Sequence, residues 1–170
     1  MKTSDKFIAR LETLKPGDLA RLRQHAGRPL DESLNGFDLF TGLWWPLRQT
    51  SPETPERRSS WLVAKLFGAF PMPHSSGVSL PSALAGLEPR EERERARFRR
   101  RMDALLSSSL ANLEPRLRWA LGVVWANDFA RQRGVDWAQL LDDLSAWDRG
   151  EKDTRAEWAK HFLCVGKERD

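Results

Sequence analysis

The stretch EERERARFRRRMDALLS, residues 91–107, is the clearest indicator of fold class in this 170-residue chain. Its large apolar side chains, Phe98, Met102, Leu105 and Leu106, recur every three or four positions, which is the period of a helix with one buried face. Comparable apolar stripes run along most of the chain, in segments 7–14, 19–26, 61–70, 117–129 and 137–147. Because no segment alternates with the two-residue period of a strand, we predict an all-α protein.

Proline and glycine divide these stripes into separate helices. Segment 71–77 (PMPHSSG) cannot continue a helix and must form a loop. The apolar patch at 34–47 is expected to belong mostly to the core and to end at Pro46. A later helix is expected to start at Asn112 and Pro115 and to be broken at Gly134, with Phe129 on its apolar side.

The length is sufficient for one compact domain or two small ones. We predict two small packed helical bundles that form one compact chain. The N-terminal helical subdomain is placed at residues 1–88 and the C-terminal helical bundle at residues 89–170.

Composition excludes several classes of protein. The chain is 40% hydrophobic and 31% charged, as a folded water-soluble domain is. Its one cysteine, Cys164, rules out an intramolecular disulfide and a cysteine-based zinc site, and its three histidines are scattered. We therefore expect no metal and no cofactor. The absence of a long apolar run and of a signal-peptide pattern leads us to expect no membrane association and a cytoplasmic location.

Charge is distributed unevenly along the chain. The net charge is +4, yet residues 134–170 contain nine acidic and six basic residues, so residues 1–133 carry +7. The basic residues are 21 arginines and seven lysines. Arginine can hold a phosphate with two hydrogen bonds, although a GC-rich genome also favours arginine. We expect a polyanion to contact the first three quarters of the chain.

The strongest basic group lies in segment 91–107. With Phe98 at 0° on a helical wheel, Arg100, Arg93 and Arg97 lie at about 200°, 220° and 260°. They form one solvent-facing stripe, and Arg101 follows it. One interpretation is a solvated helix face with Glu94–Arg97 or Glu91–Arg95 pairs. The other is a ridge that follows a phosphate backbone.

Three smaller basic groups accompany this stripe. Arg21, Arg23 and Arg28 surround the end of the second helix, where cations are also ordinary stabilisers of the helix dipole. Arg57 and Arg58 follow a proline-containing loop and are ambiguous. Near the start of a later helix, Arg116 and Arg118 are unfavourable for the helix dipole, which favours an external anion as their partner.

No catalytic motif is present. P-loop, GxSxG, HExxH and EF-hand patterns are absent. His74 has no acidic or nucleophilic partner nearby in the sequence. The neighbouring carboxylates Asp142 and Asp143 are expected on the solvent side of their helix. Most tryptophans occur in apolar stripes and are expected to be core. We therefore predict that the chain is not an enzyme.

The order of these motifs resembles a known family. The motifs are LARLRQHAGR (19–28), WLVAKLFG (61–68), GVSL (77–80), the Arg97–Phe98 helix, VDWAQLLDDLSAW (135–147) and WAKHF (158–162). Together they resemble the small subunit (CasB) of the type I-E CRISPR Cascade complex, over roughly residues 7–163. The resemblance implies an all-helical, non-catalytic protein that stabilises the guide–target R-loop and the displaced strand in antiviral defence.

The resemblance also implies partners and sites. The implied partners are crRNA, target and non-target DNA, the large and backbone subunits, and a second copy of the chain. The group Arg21, Arg23 and Arg28 matches the family's N-terminal basic motif, and Arg97–Arg101 matches its basic helix. Arg116 and Arg118 align with a basic helix start. The run Ser107–Ser109 departs from the charged residues expected there.

Two other functional classes agree less well with the sequence. A free-standing helical DNA- or RNA-binding regulator is the alternative, but segment 19–26 is short for a recognition helix and lacks Asn or Ser at the positions that read bases. A nuclease or other hydrolase would require a cluster of carboxylates or histidines. The residues that we expect to bind nucleic acid are Arg21, Arg23, Arg28, Arg93, Arg97, Arg100, Arg101, Arg116 and Arg118.

Overall fold

The structure is a computed structural model that describes residues 1–29, 34–150 and 153–167, without the side chains of 34–37 and 165–167. The described residues form ten α-helices: α1 (Thr3–Glu12), α2 (Pro16–Gln24), α3 (Leu34–Thr50), α4 (Arg57–Ala69), α5 (Leu80–Gly86), α6 (Glu92–Leu106), α7 (Glu114–Ala126), α8 (Asp128–Arg133), α9 (Trp137–Ser145) and α10 (Thr154–Lys167). A 3-10 turn covers Leu110–Asn112. The all-α prediction is confirmed, and extended backbone within the described ranges pairs only at a single bridge between His74 and Val135. None of these helices is both long and apolar enough to cross a membrane.

Helix α6 forms where the apolar period predicts it. The Glu91 carboxylate caps it by accepting hydrogen bonds from the backbone N–H groups of Arg93 and Glu94, at 3.1 and 2.9 Å. Phe98, Met102 and Leu105 are buried on one face. The arginine-rich side of the helix is therefore left toward solvent.

One apolar core runs through the chain. Helix α4 is buried along most of its length and contacts α2 on one side and α9 on the other, while α1 also packs on α9. Trp137 of α9 is fully buried, and its indole N–H donates to the Met72 carbonyl at 3.0 Å. Helix α5 packs on α10. The division into subdomains 1–88 and 89–170 stays a prediction.

Segment 71–77 forms the predicted loop, and it is tied to the residues that follow α8. Gly134 has a φ of +79°, and a Cβ there would lie 2.0 Å from the Pro73 carbonyl oxygen, so only glycine fits. The N–H of Val135 donates to that same oxygen at 3.2 Å. In return, the Asp136 carboxylate accepts from the Gly77 N–H at 2.8 Å.

Two predicted boundaries were wrong. Helix α3 continues through Pro46 to Thr50, whose hydroxyl donates to the Pro46 carbonyl at 3.2 Å. The single helix expected from Asn112 up to Gly134 is two helices, of which the first begins at Glu114 and ends at Ala126. Asn127 then caps α8 by accepting from the Ala130 N–H at 3.0 Å. This change of direction leaves Phe129 75% exposed. Leu34 and Phe37 were also expected in the core, but the structure does not describe their side chains.

The crossing of α2 and α4 depends on a glycine. A Cβ at Gly68 would lie 2.8 Å from the Leu22 Cβ, 2.9 Å from the Leu19 carbonyl oxygen and 3.2 Å from the Arg23 nitrogen. Backbone atoms cannot rotate out of the way as a side-chain end can. The absence of a side chain at Gly68 therefore sets how closely α2 approaches α4.

We expect Gly68→Ala to lower the free energy of unfolding by about 1–2 kcal/mol, because overpacking costs about 1–3 kcal/mol and the better helix propensity of alanine offsets up to about 1. Urea unfolding followed by circular dichroism measures this. The matched control is Gly42→Ala inside α3, where nothing lies within 4 Å of the added Cβ, and where a small gain is expected. Equal stability of Gly68→Ala and the native chain would contradict this account.

Candidate nucleic-acid interface

The Arg28 backbone is held from two sides. Its carbonyl oxygen accepts hydrogen bonds from the Trp61 indole N–H and from the Lys65 ammonium, both at 3.0 Å. Both donors lie on α4, while the Arg28 side chain is exposed. The chain just beyond α2 is thus fixed to the core and the guanidinium remains outside.

Lys65 also forms a buried ion pair. Its ammonium lies 2.5 Å from the Glu114 carboxylate at the start of α7, and the two side chains are 7% and 13% exposed. The amine is therefore engaged internally by Glu114 and by Arg28. This pair joins the end of α2, the middle of α4 and the start of α7.

A cavity of about 540 Å³ opens beside this junction, and we call it the Arg28 cavity. It brings Arg28 together with Arg57, Arg58 and Arg149. The sequence alone left the role of Arg57 and Arg58 open, because both follow a proline-containing loop. Arg149 was missed, because it lies in the acidic C-terminal part of the chain and no sequence signal connects it with Arg28.

The arginines of α6 separate into two sets. Glu88 pairs with Arg95 and Arg99, whose Nε atoms lie 3.3 and 2.5 Å from its carboxylate. Neither pair expected within the helix is present: Glu91 serves as the cap and Arg95 pairs with Glu88, while Glu94 and Arg97 form no ion pair among the described residues. The second set, Arg93, Arg97 and Arg100, is exposed and has no ion pair within the described ranges.

A second concavity, of about 300 Å³, lies between α6 and α7, and we call it the Trp119 groove. It brings Arg101 and Arg116 together with Trp119. The Arg101 guanidinium lies 5.7 Å from the centre of the Trp119 ring, and the Arg116 Nε donates to the Ser108 hydroxyl at 2.9 Å. The serine run that departs from the family pattern therefore positions an arginine.

The remaining predicted site residues lie apart from this groove. Arg118 is half-buried, with its guanidinium 6.0 Å from the Phe70 ring centre, so it does not act together with Arg116. Arg21 and Arg23 are exposed on α2, and Arg21 lies 3.6 Å from Asp18.

His74 lies 3.9 Å from Asp5 and 3.8 Å from Asp136, two carboxylates that are distant in sequence and were therefore missed. The expectation that Asp142 and Asp143 lie on the solvent side of their helix was wrong, because both are half-buried. Asp143 accepts from the Trp158 indole at 2.8 Å, and burial is the main cause that raises the pKa of Asp142. These carboxylates join helices together.

Comparison with known proteins identifies the family. The sequence profile described as CRISPR-associated protein Cse2 matches residues 18–162. This chain belongs to the CRISPR-associated protein Cse2 family. The resemblance read from the sequence motifs is therefore confirmed.

The Cse2 relatives cover the chain to different extents. The CRISPR-associated protein Cse2 of Thermus thermophilus is 32% identical over 111 residues, which span 65% of this chain and 59% of that relative. The crystal structure of M. ruber CasB matches with a TM-score of 0.77 at 25% identity, covering 99% of this chain and 96% of the other. CasB from Thermus thermophilus matches with a TM-score of 0.72 at 25% identity, covering 96% and 99%.

The buried ion pair of this Cse2-family chain gives a stability prediction. Lys65→Met should lower the free energy of unfolding by about 3–5 kcal/mol, because Glu114 loses the cation with which it forms its ion pair while its carboxylate stays largely buried. Urea titration measures this change. Lys160→Met, at an exposed site on α10, should change stability by less than about 0.5 kcal/mol. Similar losses in the two variants would contradict the assigned role.

His25 gives a pH prediction. Burial is the main cause that lowers its pKa below 6.5, and the charges of Arg28, Arg21 and Lys65 lower it further. The unfolded chain therefore binds the proton first as pH falls, so His25 contributes stability above pH 6.5 that is lost below it. His25→Gln should lose less free energy of unfolding than the native chain between pH 7.5 and 5.5, whereas exposed His161→Gln should behave like the native chain. The same pH dependence in all three proteins would contradict this assignment.

Proposed function

We propose that this chain is a non-catalytic small subunit of a type I-E CRISPR Cascade surveillance complex. In that complex it binds nucleic-acid backbone and stabilises the guide–target R-loop and the displaced strand in antiviral defence. Its partners in this proposal are crRNA, target and non-target DNA, the large and backbone subunits, and a second copy of itself. Membership of the Cse2 family supports this role over that of a free-standing regulator.

The observation that carries the proposal is the division of the α6 arginines. Glu88 neutralises Arg95 and Arg99. Arg93, Arg97 and Arg100 are exposed at helical spacing, with no acidic partner in the part of the chain that is described. Guanidinium groups so arranged can contact successive phosphates of a strand without reading its bases.

The other basic groups extend this surface in the proposal. Arg21, Arg23 and Arg28 lie at the end of α2, and Arg101 and Arg116 meet in the Trp119 groove. Arg118 belongs to the predicted set, but its guanidinium is already against Phe70.

Modest phosphate contacts are sufficient for such a role. The guide–target heteroduplex is about as stable as the DNA duplex that it replaces, so opening is nearly balanced. Base pairing supplies the sequence specificity. A subunit that only favours the opened state needs neither base readout nor catalytic groups.

The test is the triple variant Arg93→Ala, Arg97→Ala and Arg100→Ala. Its melting temperature should be unchanged, because exposed helix positions accept alanine. Its affinity for duplex DNA should fall uniformly across sequences, and the slope of log affinity against log salt should flatten by up to about three. In the assembled complex, R-loops should be less stable while guide loading stays unchanged.

A charge-matched control is available elsewhere on the surface. Lys6, Arg48 and Lys160 are exposed on three other helices, and replacing all three with alanine removes the same charge. This control should retain most of the affinity. Equal losses of affinity in both triple variants would show a nonspecific effect of net charge. Unfolding of the Arg93, Arg97 and Arg100 variant would show that these arginines serve the fold. Either result contradicts the proposal.

A further inference from the structure

The Trp119 groove combines the features of a stacking site. Its lining residues are Arg101, Asn112, Pro115, Arg116 and Trp119. The Trp119 ring is supported from within the core by Phe98, at 5.2 Å and 66°. Phe98 itself stacks on Phe162 at 6.1 Å. The indole is thus held in one orientation at the wall of an open groove.

Arg101 adds a second flat surface to the groove. Its guanidinium lies over the Trp119 ring, with 5.7 Å between the guanidinium carbon and the ring centre. Aromatic rings and guanidinium planes are the surfaces on which proteins stack unpaired bases. Because the Arg101 side chain is exposed, it can move aside for a planar ring to lie on Trp119 and can then cover the other face of that ring.

Two polar groups are fixed beside these surfaces. The Asn112 amide donates to the Ser109 hydroxyl at 3.1 Å, which leaves its oxygen without a donor among the described residues. The Arg116 Nε is held by Ser108, so the terminal nitrogens remain for an anion. Arg116 also lies in the first turn of α7, where the helix dipole favours an anion.

The size of the groove limits its ligand. About 300 Å³ is at the lower end of the range for small-molecule sites, which is roughly 300–1,000 Å³. The groove is open to solvent through the exposed residues Asn112, Pro115 and Arg116. A single nucleotide at the end of a longer chain fits such a groove better than a duplex does.

From this arrangement, we propose that the Trp119 groove binds one unpaired nucleobase of a single strand. The base stacks on Trp119 and Arg101, the Asn112 oxygen accepts from a base amino group, and Arg116 binds the adjoining phosphate. The inference rests on the proposed function and adds a preference for single strands that phosphate contacts alone do not give.

The first experiment uses the isolated mononucleotide dAMP. The Trp119 indole N–H resonance, assigned with Trp119→Phe, should shift on addition of dAMP at concentrations where inorganic phosphate leaves it unchanged. If phosphate shifts this resonance as dAMP does, the groove is an anion site only. No shift with either probe also overturns the inference.

The second experiment compares strands. Trp119→Ala should weaken binding of a short single strand about 5- to 100-fold, while binding of a duplex, and of an abasic strand of the same length, should change by less than about twofold. Trp119→Phe should restore most of the affinity. Trp45→Ala, at a tryptophan that is 49% exposed on α3, is the matched control.

The outcomes separate this inference from the proposed function. Equal losses for single strand, abasic strand and duplex, or no loss at all, overturn the stacking site. If the native chain binds no strand at any salt concentration, the proposed function fails, and the dAMP titration then decides the groove by itself.

Discussion

The buried ion pair between Lys65 and Glu114 is the constraint that fixes the chain around the Arg28 cavity. A buried charge without a partner costs several kcal/mol, so the two elements that carry these side chains must stay together. Lys65 extends this requirement to the end of α2 through the Arg28 carbonyl. One ammonium group thus fixes three chain segments. It contributes no charge to the surface itself, because its own charge is neutralised inside.

The two concavities share the short turn that precedes α7. Leu110, Ala111 and Glu114 line the Arg28 cavity, whereas Asn112 and Pro115 line the Trp119 groove. The same short turn before α7 therefore separates the two sites and forms a wall of each. Two carboxylates hold this turn in position. Glu114, which follows the turn, is paired with Lys65, and the Asp148 carboxylate accepts from the Leu110 N–H at 3.2 Å.

Local patterns were sufficient to predict the helices, but long-range partners were not predictable. The buried face of α6 follows from the spacing of Phe98 and Met102, because a helix places those positions side by side. The pairing of Arg99 with Glu88 does not follow from such spacing, since Glu88 precedes the helix and turns back toward it. Arg149 and the carboxylates around His74 were missed for the same reason. Each of these contacts depends on how separate helices pack, and a periodic pattern holds no information on that.

Three of the acidic residues near the arginines of α6 and α7 are engaged within the fold, which helps to leave arginines available at the surface. Glu91 is used as the cap of α6, Glu88 holds the two arginines on one flank, and Glu114 is buried against Lys65. Each carboxylate is therefore engaged within the fold, and none of these three lies opposite Arg93, Arg97 or Arg100. A modest positive net charge is thereby concentrated on one helix face. The arrangement of the acids, as well as the number of arginines, therefore leaves the guanidinium groups of that face exposed.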